Sequence, residues 1–335
     1  GYRDTTDVGG ITGRTMEGSI CNSINFGNVA VAAYYERGGG ITGKGRNIEN
    51  CINYGTICSA YNGNPYEASL GGIAGSASLS QNCINYGEIK TINSSNDSFG
   101  GISALGSATQ CANYSTLKGS ASHVGGITSS GTVNDCFTLG SGISGSTNDS
   151  LMGTSHKADI FNSLSISKVA PVSGSYFTTK NVYGLRELRA NDTVSTHVLY
   201  NERSNTEKYE LDFDNIWYID ENINSGFPTL RNMPRHIDLN ECVLLMKPGE
   251  TATLKAYIDG RPENVTYESE NTSIASVAAD GTVKAVTTGD IMISAKNAEG
   301  MRANCLVHIT KDVSGISLNK SELSLESGKY ETLSY

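Results

Sequence analysis

Histidine, cysteine and paired carboxylates are the side chains that carry most enzyme chemistry, so their spacing is read first. Five histidines are present: His123, His156, His197, His236 and His308. None sits in a His-Glu-x-x-His helix motif, so the zinc-and-base pair of a metallopeptidase is missing. Eight cysteines occur without a Cys-x-x-Cys pair, the tight spacing a structural zinc needs. No Gly-x-Ser-x-Gly elbow is joined by a His partner. The acids of residues 1–146 are Asp4, Asp7, Glu17, Glu36, Glu49, Glu67, Glu88, Asp97 and Asp135. They fall at scattered positions, whereas glycan cleavage needs two carboxylates facing one bond. Glu49 and Asp135 share roughly one phase of the pattern below but lie too far apart to cooperate. The expectation is no enzyme, no cofactor and no metal.

What remains is recognition chemistry. Tyr34, Tyr35 and Arg37 stand close together, and Tyr61, Asn62, Asn64 and Tyr66 form a second cluster. Rigid amphipathic rings beside amides and a guanidinium suit macromolecular contact at low ordering cost. These seven are the candidate ligand-binding residues.

Such loops need a frame, and composition constrains it. The 335 residues include 38 Gly but 6 Pro, and carry a formal charge of −9. That charge argues against nucleic acid, which rewards clustered Lys and Arg. No apolar stretch reaches the length of a membrane span, so no membrane insertion is expected. The chain opens without Met and breaks off inside a pattern, as an internal slice of a longer protein would. The glycines concentrate in residues 1–150, where tight turns are expected to recur.

They recur in phrases. Val8-Gly9-Gly10-Ile11, Gly39-Gly40-Ile41, Leu70-Gly71-Gly72-Ile73, Phe99-Gly100-Gly101-Ile102 and Val124-Gly125-Gly126-Ile127 are the first set. Ser23-Ile24-Asn25-Phe26-Gly27, Cys51-Ile52-Asn53-Tyr54-Gly55, Cys83-Ile84-Asn85-Tyr86-Gly87, Cys111-Ala112-Asn113-Tyr114 and Cys136-Phe137-Thr138-Leu139-Gly140 follow them. A short β-prone piece closes each unit, giving three strands per repeat at a period near 28 residues. The cysteines at 51, 83, 111 and 136 lie 32, 28 and 25 apart, so insertions stretch the period.

This grammar predicts a β-solenoid in which stacked rungs bury what one repeat cannot. Ile11, Ile41, Ile73, Ile102 and Ile127 should form an inward column, and the four cysteines a second one of reduced thiols. Asn25, Asn53, Asn85 and Asn113 should line a corner, with Phe26, Tyr54, Tyr86 and Tyr114 stacking beside them. A weaker sixth rung is expected around residues 160–166.

The phrases Gly71-Gly72-Ile73-Ala74-Gly75 and Asn82-Cys83-Ile84-Asn85-Tyr86-Gly87 resemble the Glug motif of large bacterial surface proteins and of some immunoglobulin A–cleaving metallopeptidases. The likeness spans about residues 8–170. Residues 171–236 are similar to the segments that close such arrays. They include a helix expected over 185–200 and Trp217 as a core anchor.

From Ile237 the pattern alternates as in an antiparallel sandwich. Tyr267-Glu268-Ser269-Glu270-Asn271 and Ala279-Asp280-Gly281-Thr282-Val283-Lys284-Ala285 resemble the bacterial immunoglobulin-like group 2 domain. Cys242 and Cys305 would lie on its first and last strands, bridged or separate. Ile316, Leu318, Asn319, Leu323, Gly328 and Leu333 repeat this module's start at an offset of 79.

The expected architecture is therefore all-β: a Glug-like β-solenoid (1–170), a small helix-containing cap (171–236), an Ig-like β-sandwich (237–311) and a truncated second one (312–335). The resemblances imply a non-enzymatic, extracellular or bacterial cell-surface binding protein, adhesin-like, with Ig-like modules as a stalk. Its partner would be a host protein or glycan, with an immunoglobulin among the candidates. An accessory region of a larger secreted hydrolase or peptidase, or a pure spacer, is the alternative.

Overall fold

The computed structural model describes residues 5–59, 67–90, 98–118, 121–139, 145–149, 158–165, 177–184, 214–218, 220, 222–226, 229–231 and 233–311. It is a parallel β-solenoid followed by an Ig-like sandwich. The helix expected over 185–200 and the second module over 312–335 lie outside the described residues. Among the described ones the helical element is a single 3-10 turn, Asn224–Gly226.

The second, third and fourth rungs each have four strand pieces rather than the three expected. In the second rung they are Tyr35–Gly39, Thr42–Glu49, Ile52–Asn53 and Ile57–Ser59. The next rung repeats them as Glu67–Gly71, Ala74–Gln81, Ile84–Asn85 and Ile89–Lys90. The piece missed is the long one. It runs through Ser, Thr, Gly and Lys and so lacks the alternation that marks a strand in sequence.

Register is parallel throughout: Gly39 pairs with Gly71, Asn53 with Asn85, and Ile57 with Ile89. Two further strands, Ala158–Ser165 and Phe177–Gly184, continue the parallel stack past residue 170.

Stacking in register puts like on like. Ile41, Ile73, Ile102 and Ile127 form a fully buried column, as do Cys51, Cys83, Cys111 and Cys136. Ile11 belongs to the same column but is 49% exposed, because it lies on the first described rung. Glu49 pairs with Gln81, one position before the column that holds Asp135, so the two acids do not share a phase.

The asparagines make the third column. Asn25 Nδ2 donates to Asn53 Oδ1 at 2.8 Å, Asn53 to Asn85 at 2.8 Å, and Asn85 to Asn113 at 3.0 Å. Each amide also closes its own turn: Asn53 Oδ1 accepts from Gly55 N–H at 3.1 Å, and its Nδ2 donates to Gly55 O at 2.8 Å. A primary amide has both donors and acceptors, so one side chain can serve the turn and both neighbouring rungs.

In the pairs up to Gly100-Gly101, the second glycine lies against this column and the backbone of the next rung, and the first lies against backbone alone. None of these glycines has positive φ, so a left-handed backbone is not what requires them. A Cβ on Gly72 would fall 2.2 Å from Gly101 O and 2.3 Å from the Asn85 amide carbon. A Cβ on Gly71 would fall 1.9 Å from Ala74 O. Close approach of backbone to backbone is what demands glycine here.

The left-handed positions lie elsewhere, at the next corner. Asn22, Asn50, Asn82, Gln110 and Asp135 have φ of 50°, 53°, 50°, 54° and 50°. Asn and Asp tolerate that region better than other side chains.

The sandwich has sheets of four, three and three strands. Its first long strand, Val243–Met246, runs parallel to its last, Arg302–Ile309. Cys242 and Cys305 lie side by side at this pairing as separate buried thiols.

Gly72→Ala should lower stability in urea denaturation by about 2–3 kcal/mol, the cost of forcing extra volume into packed structure. Gly18→Ala, with φ of 79° and nothing within 4 Å of its Cβ, should cost about 1 kcal/mol.

Candidate functional site

The candidate recognition corner lies where the fourth strand piece of one rung turns into the first of the next. Tyr34 is 47% exposed there and meets Tyr35 edge-on, with ring centroids 5.2 Å apart. Tyr35 pairs with Glu67, which brings the strand after the 60–66 segment alongside it. Tyr61, Asn62, Asn64 and Tyr66 themselves lie outside the described residues.

Arg37 is positioned differently. It sits two residues into the strand, in register with Asp7 and Ser69, and Nη1 lies 3.4 Å from Asp7 Oδ1. Arg14 shares the same carboxylate. The guanidinium is thus held on the sheet by an ion pair, and the ring pair is what faces outward at the corner.

Between them, Glu36 turns inward and is 2% exposed. Its Oε1 accepts the Ala33 N–H at 2.9 Å, tying the loop ahead of Tyr34 to the strand behind it. Its Oε2 is buried without a hydrogen-bond partner. Burial pushes this carboxyl's pKa up, against the lowering pull of the Ala33 N–H and the Ser59 hydroxyl. Sequence reading placed Glu36 among the scattered acids. Its position one residue from Tyr35 on an alternating strand was the signal that it points inward.

The other aromatic column is not a recognition surface. Tyr54, Tyr86 and Tyr114 stack at 5.4 and 5.3 Å, and Phe26 joins at 5.3 Å from Tyr54. The three tyrosines are 3%, 6% and 3% exposed because the sandwich and the 214–239 segment cover them. One apolar cluster runs from Ile52, Ile84 and the tyrosines through Trp217 and Leu230 to Ile237, Val243 and Ile293. Trp217 is fully buried in it, the anchor role expected of it.

Polar contacts cross the same boundary. Asn304 Nδ2 donates to Tyr86 O at 2.5 Å, and Asn224 Nδ2 donates to Tyr114 Oη at 3.1 Å. Lys118 Nζ lies 2.8 Å from Glu88 Oε1 and 2.6 Å from Glu270 Oε2. Burial, and secondarily the Asp238 carboxylate, push the Tyr54 hydroxyl's pKa well up. The Ig-like unit therefore lies along the side of the solenoid.

Burial likewise pushes the thiols of Cys83 and Cys111 far up, keeping them protonated. Each donates to backbone: Cys83 Sγ to Gln81 O at 3.1 Å and Cys111 Sγ to Thr109 O at 3.2 Å. They act as small apolar side chains with a weak donor. No group of three or more His, Cys, Asp or Glu able to hold a metal occurs among the described residues. No helix among them is long and apolar enough to cross a membrane.

Sheet order, the parallel first–last pairing and the turn phrases all single out the second unit, and residues 236–305 match the family model described as bacterial Ig-like domain (group 2). The second unit is a bacterial Ig-like domain of group 2. Domains of this family are typical of extracellular and surface proteins. No curated protein matches the chain. Among solved structures, the crystal structure of the S-layer protein rSbsC(31-844) is similar at 18% identity with a TM-score of 0.21. That likeness covers 28% of this chain and 16% of the S-layer chain.

Glu36→Gln should stabilise the protein at neutral pH. A carboxyl whose folded pKa is raised binds its proton more tightly folded than unfolded, so the wild type loses stability as pH climbs from the ordinary carboxylate range through the raised value. Thermal melts should show the variant's advantage growing across that window and vanishing in acid.

Proposed function

We propose that the chain belongs to a non-enzymatic, adhesin-like bacterial surface protein that recognises a host macromolecule. The group 2 Ig-like domain supports surface display, and the resemblance of the repeats to the Glug motif supports the same location. The partner classes are a glycoprotein, a glycan or an immunoglobulin.

One observation carries the reading. The repeats' own tyrosines are spent on docking the Ig-like domain, while Tyr34 stands exposed at a corner stiffened by the inward Glu36. An exposed ring on a rigid frame is the kind of anchor that dominates protein interfaces. The residues Tyr61, Asn62, Asn64 and Tyr66 lead in sequence into Glu67–Gly71, the strand that pairs with Tyr35. The Ig-like domain, lying along the solenoid, makes the spacer stiff rather than freely hinged.

Surface plasmon resonance of the whole chain against purified immunoglobulin and against mucin tests this. Binding to at least one is expected, weakened tenfold or more in a Tyr34→Ala/Tyr61→Ala/Tyr66→Ala variant. Binding to neither, or equal binding by the variant, would contradict it.

A further inference from the structure

The column of left-handed residues opens onto a groove that the Tyr34 corner does not use. Its volume is about 360 Å³. One wall comes from three successive rungs: Glu49 and Asn50, then Gln81 and Asn82, then Gln110. The other wall is Asn215, Ile216 and Arg231, from the segment that crosses the rungs beside Trp217.

We infer that this groove is a binding site for a neutral glycan chain. The lining is dominated by primary amides, held in order by one another. Asn82 Nδ2 donates to Asn50 Oδ1 at 2.6 Å, and Gln81 Nε2 to Gln110 Oε1 at 3.4 Å. An amide keeps further donor and acceptor capacity after such a bond, in the paired form that vicinal hydroxyls accept. The amides repeat at the rung spacing of ~4.8 Å, close to the rise of one sugar ring along an extended oligosaccharide.

Position and chemistry exclude other ligands. Glu49 and Arg231 balance in charge, so a polyanion gains no net attraction. Ile216 alone is apolar, too little for a lipid or drug-like ligand. The strands behind the groove are already paired on both sides over Thr42–Glu49, Ala74–Gln81 and Ser103–Thr109, so an extended peptide finds no free edge. The left-handed backbone is what allows this: it turns the chain sharply and sets the Asn50 and Asn82 amides beside each other at the rim.

Arg231 also fixes the far wall. Its Nε donates to Trp217 O at 2.8 Å, and the guanidinium carbon lies 5.5 Å from the Tyr218 ring centroid. The groove thus lies between the stacked rungs and a segment cross-linked by Arg231.

Isothermal titration of the whole chain with neutral oligosaccharides of four to six rings (cello-, manno- and chito-series), beside heparin and oligogalacturonate, tests the assignment. At least one neutral series should bind and the polyanions should not. Gln81→Ala should weaken that binding tenfold or more with circular dichroism and melting temperature near wild type, and Gln81→Glu should weaken it too. Tyr34→Ala should leave it unchanged, which separates this site from the corner. No binding by any neutral series at millimolar concentration, a preference for the polyanions, full affinity in Gln81→Ala, or loss in Tyr34→Ala would each overturn it.

Discussion

A column of buried asparagine amides governs this molecule. Each amide closes the turn of its own rung and reaches the amide above, so the height of one rung is fixed to the next by side chains as well as backbone. An unmatched amide in that position would be a buried donor or acceptor without a partner, at about 1–3 kcal/mol each. The column therefore works only when rungs stack in strict register, and it leaves no room for a Cβ at the glycines beside it. Its far end is weaker: Asn113 Nδ2 meets Thr138 Oγ1 at 3.4 Å, a hydroxyl where the earlier rungs have an amide.

The same register explains the second unit. Once Asn53, Asn85 and Asn113 point inward, the next residues, Tyr54, Tyr86 and Tyr114, must face outward, one per rung. A strip of stacked rings along one face is a large apolar patch, which soluble surfaces rarely leave bare. The Ig-like domain covers it, with Asn304 and Lys118 pinning the edges. An antiparallel module and a parallel solenoid thus share one continuous core.

Much of this was legible in the sequence because repetition exposes phase. The isoleucine, cysteine, asparagine and tyrosine columns follow from phrases that recur, and alternation marked the sandwich. Four features did not show. The long strand after each Gly-Gly-Ile buries only small or widely spaced apolar residues, such as Ile48, Ala74 and Ala77, so no regular alternation betrays it. The glycines read as turn formers, whereas a three-dimensional near-contact demands them. The left-handed residue before each cysteine was visible as Asn, Asn, Gln, Asp, yet without coordinates nothing tied it to a corner or a groove. The docking face was also hidden, since a stacked tyrosine column looks the same whether water or another domain covers it.

The candidate corner around Tyr34 was legible in part. Tyr34 and Tyr35 meet at the turn between Val29–Val31 and Tyr35–Gly39, while Arg37 belongs to a sheet ion pair and Glu36 to the interior. Alternation along Tyr35–Gly39 would have separated these roles, had it been applied within the insertion as well as between the phrases.

Residues a full repeat apart touch through the amide column. A double-mutant cycle on Asn53→Ala and Asn85→Ala, read by equilibrium urea unfolding, measures that contact directly. The account predicts a coupling of about 0.5–3 kcal/mol between them. Effects that add to within about 0.5 kcal/mol would show that the two amides do not meet, and would contradict it.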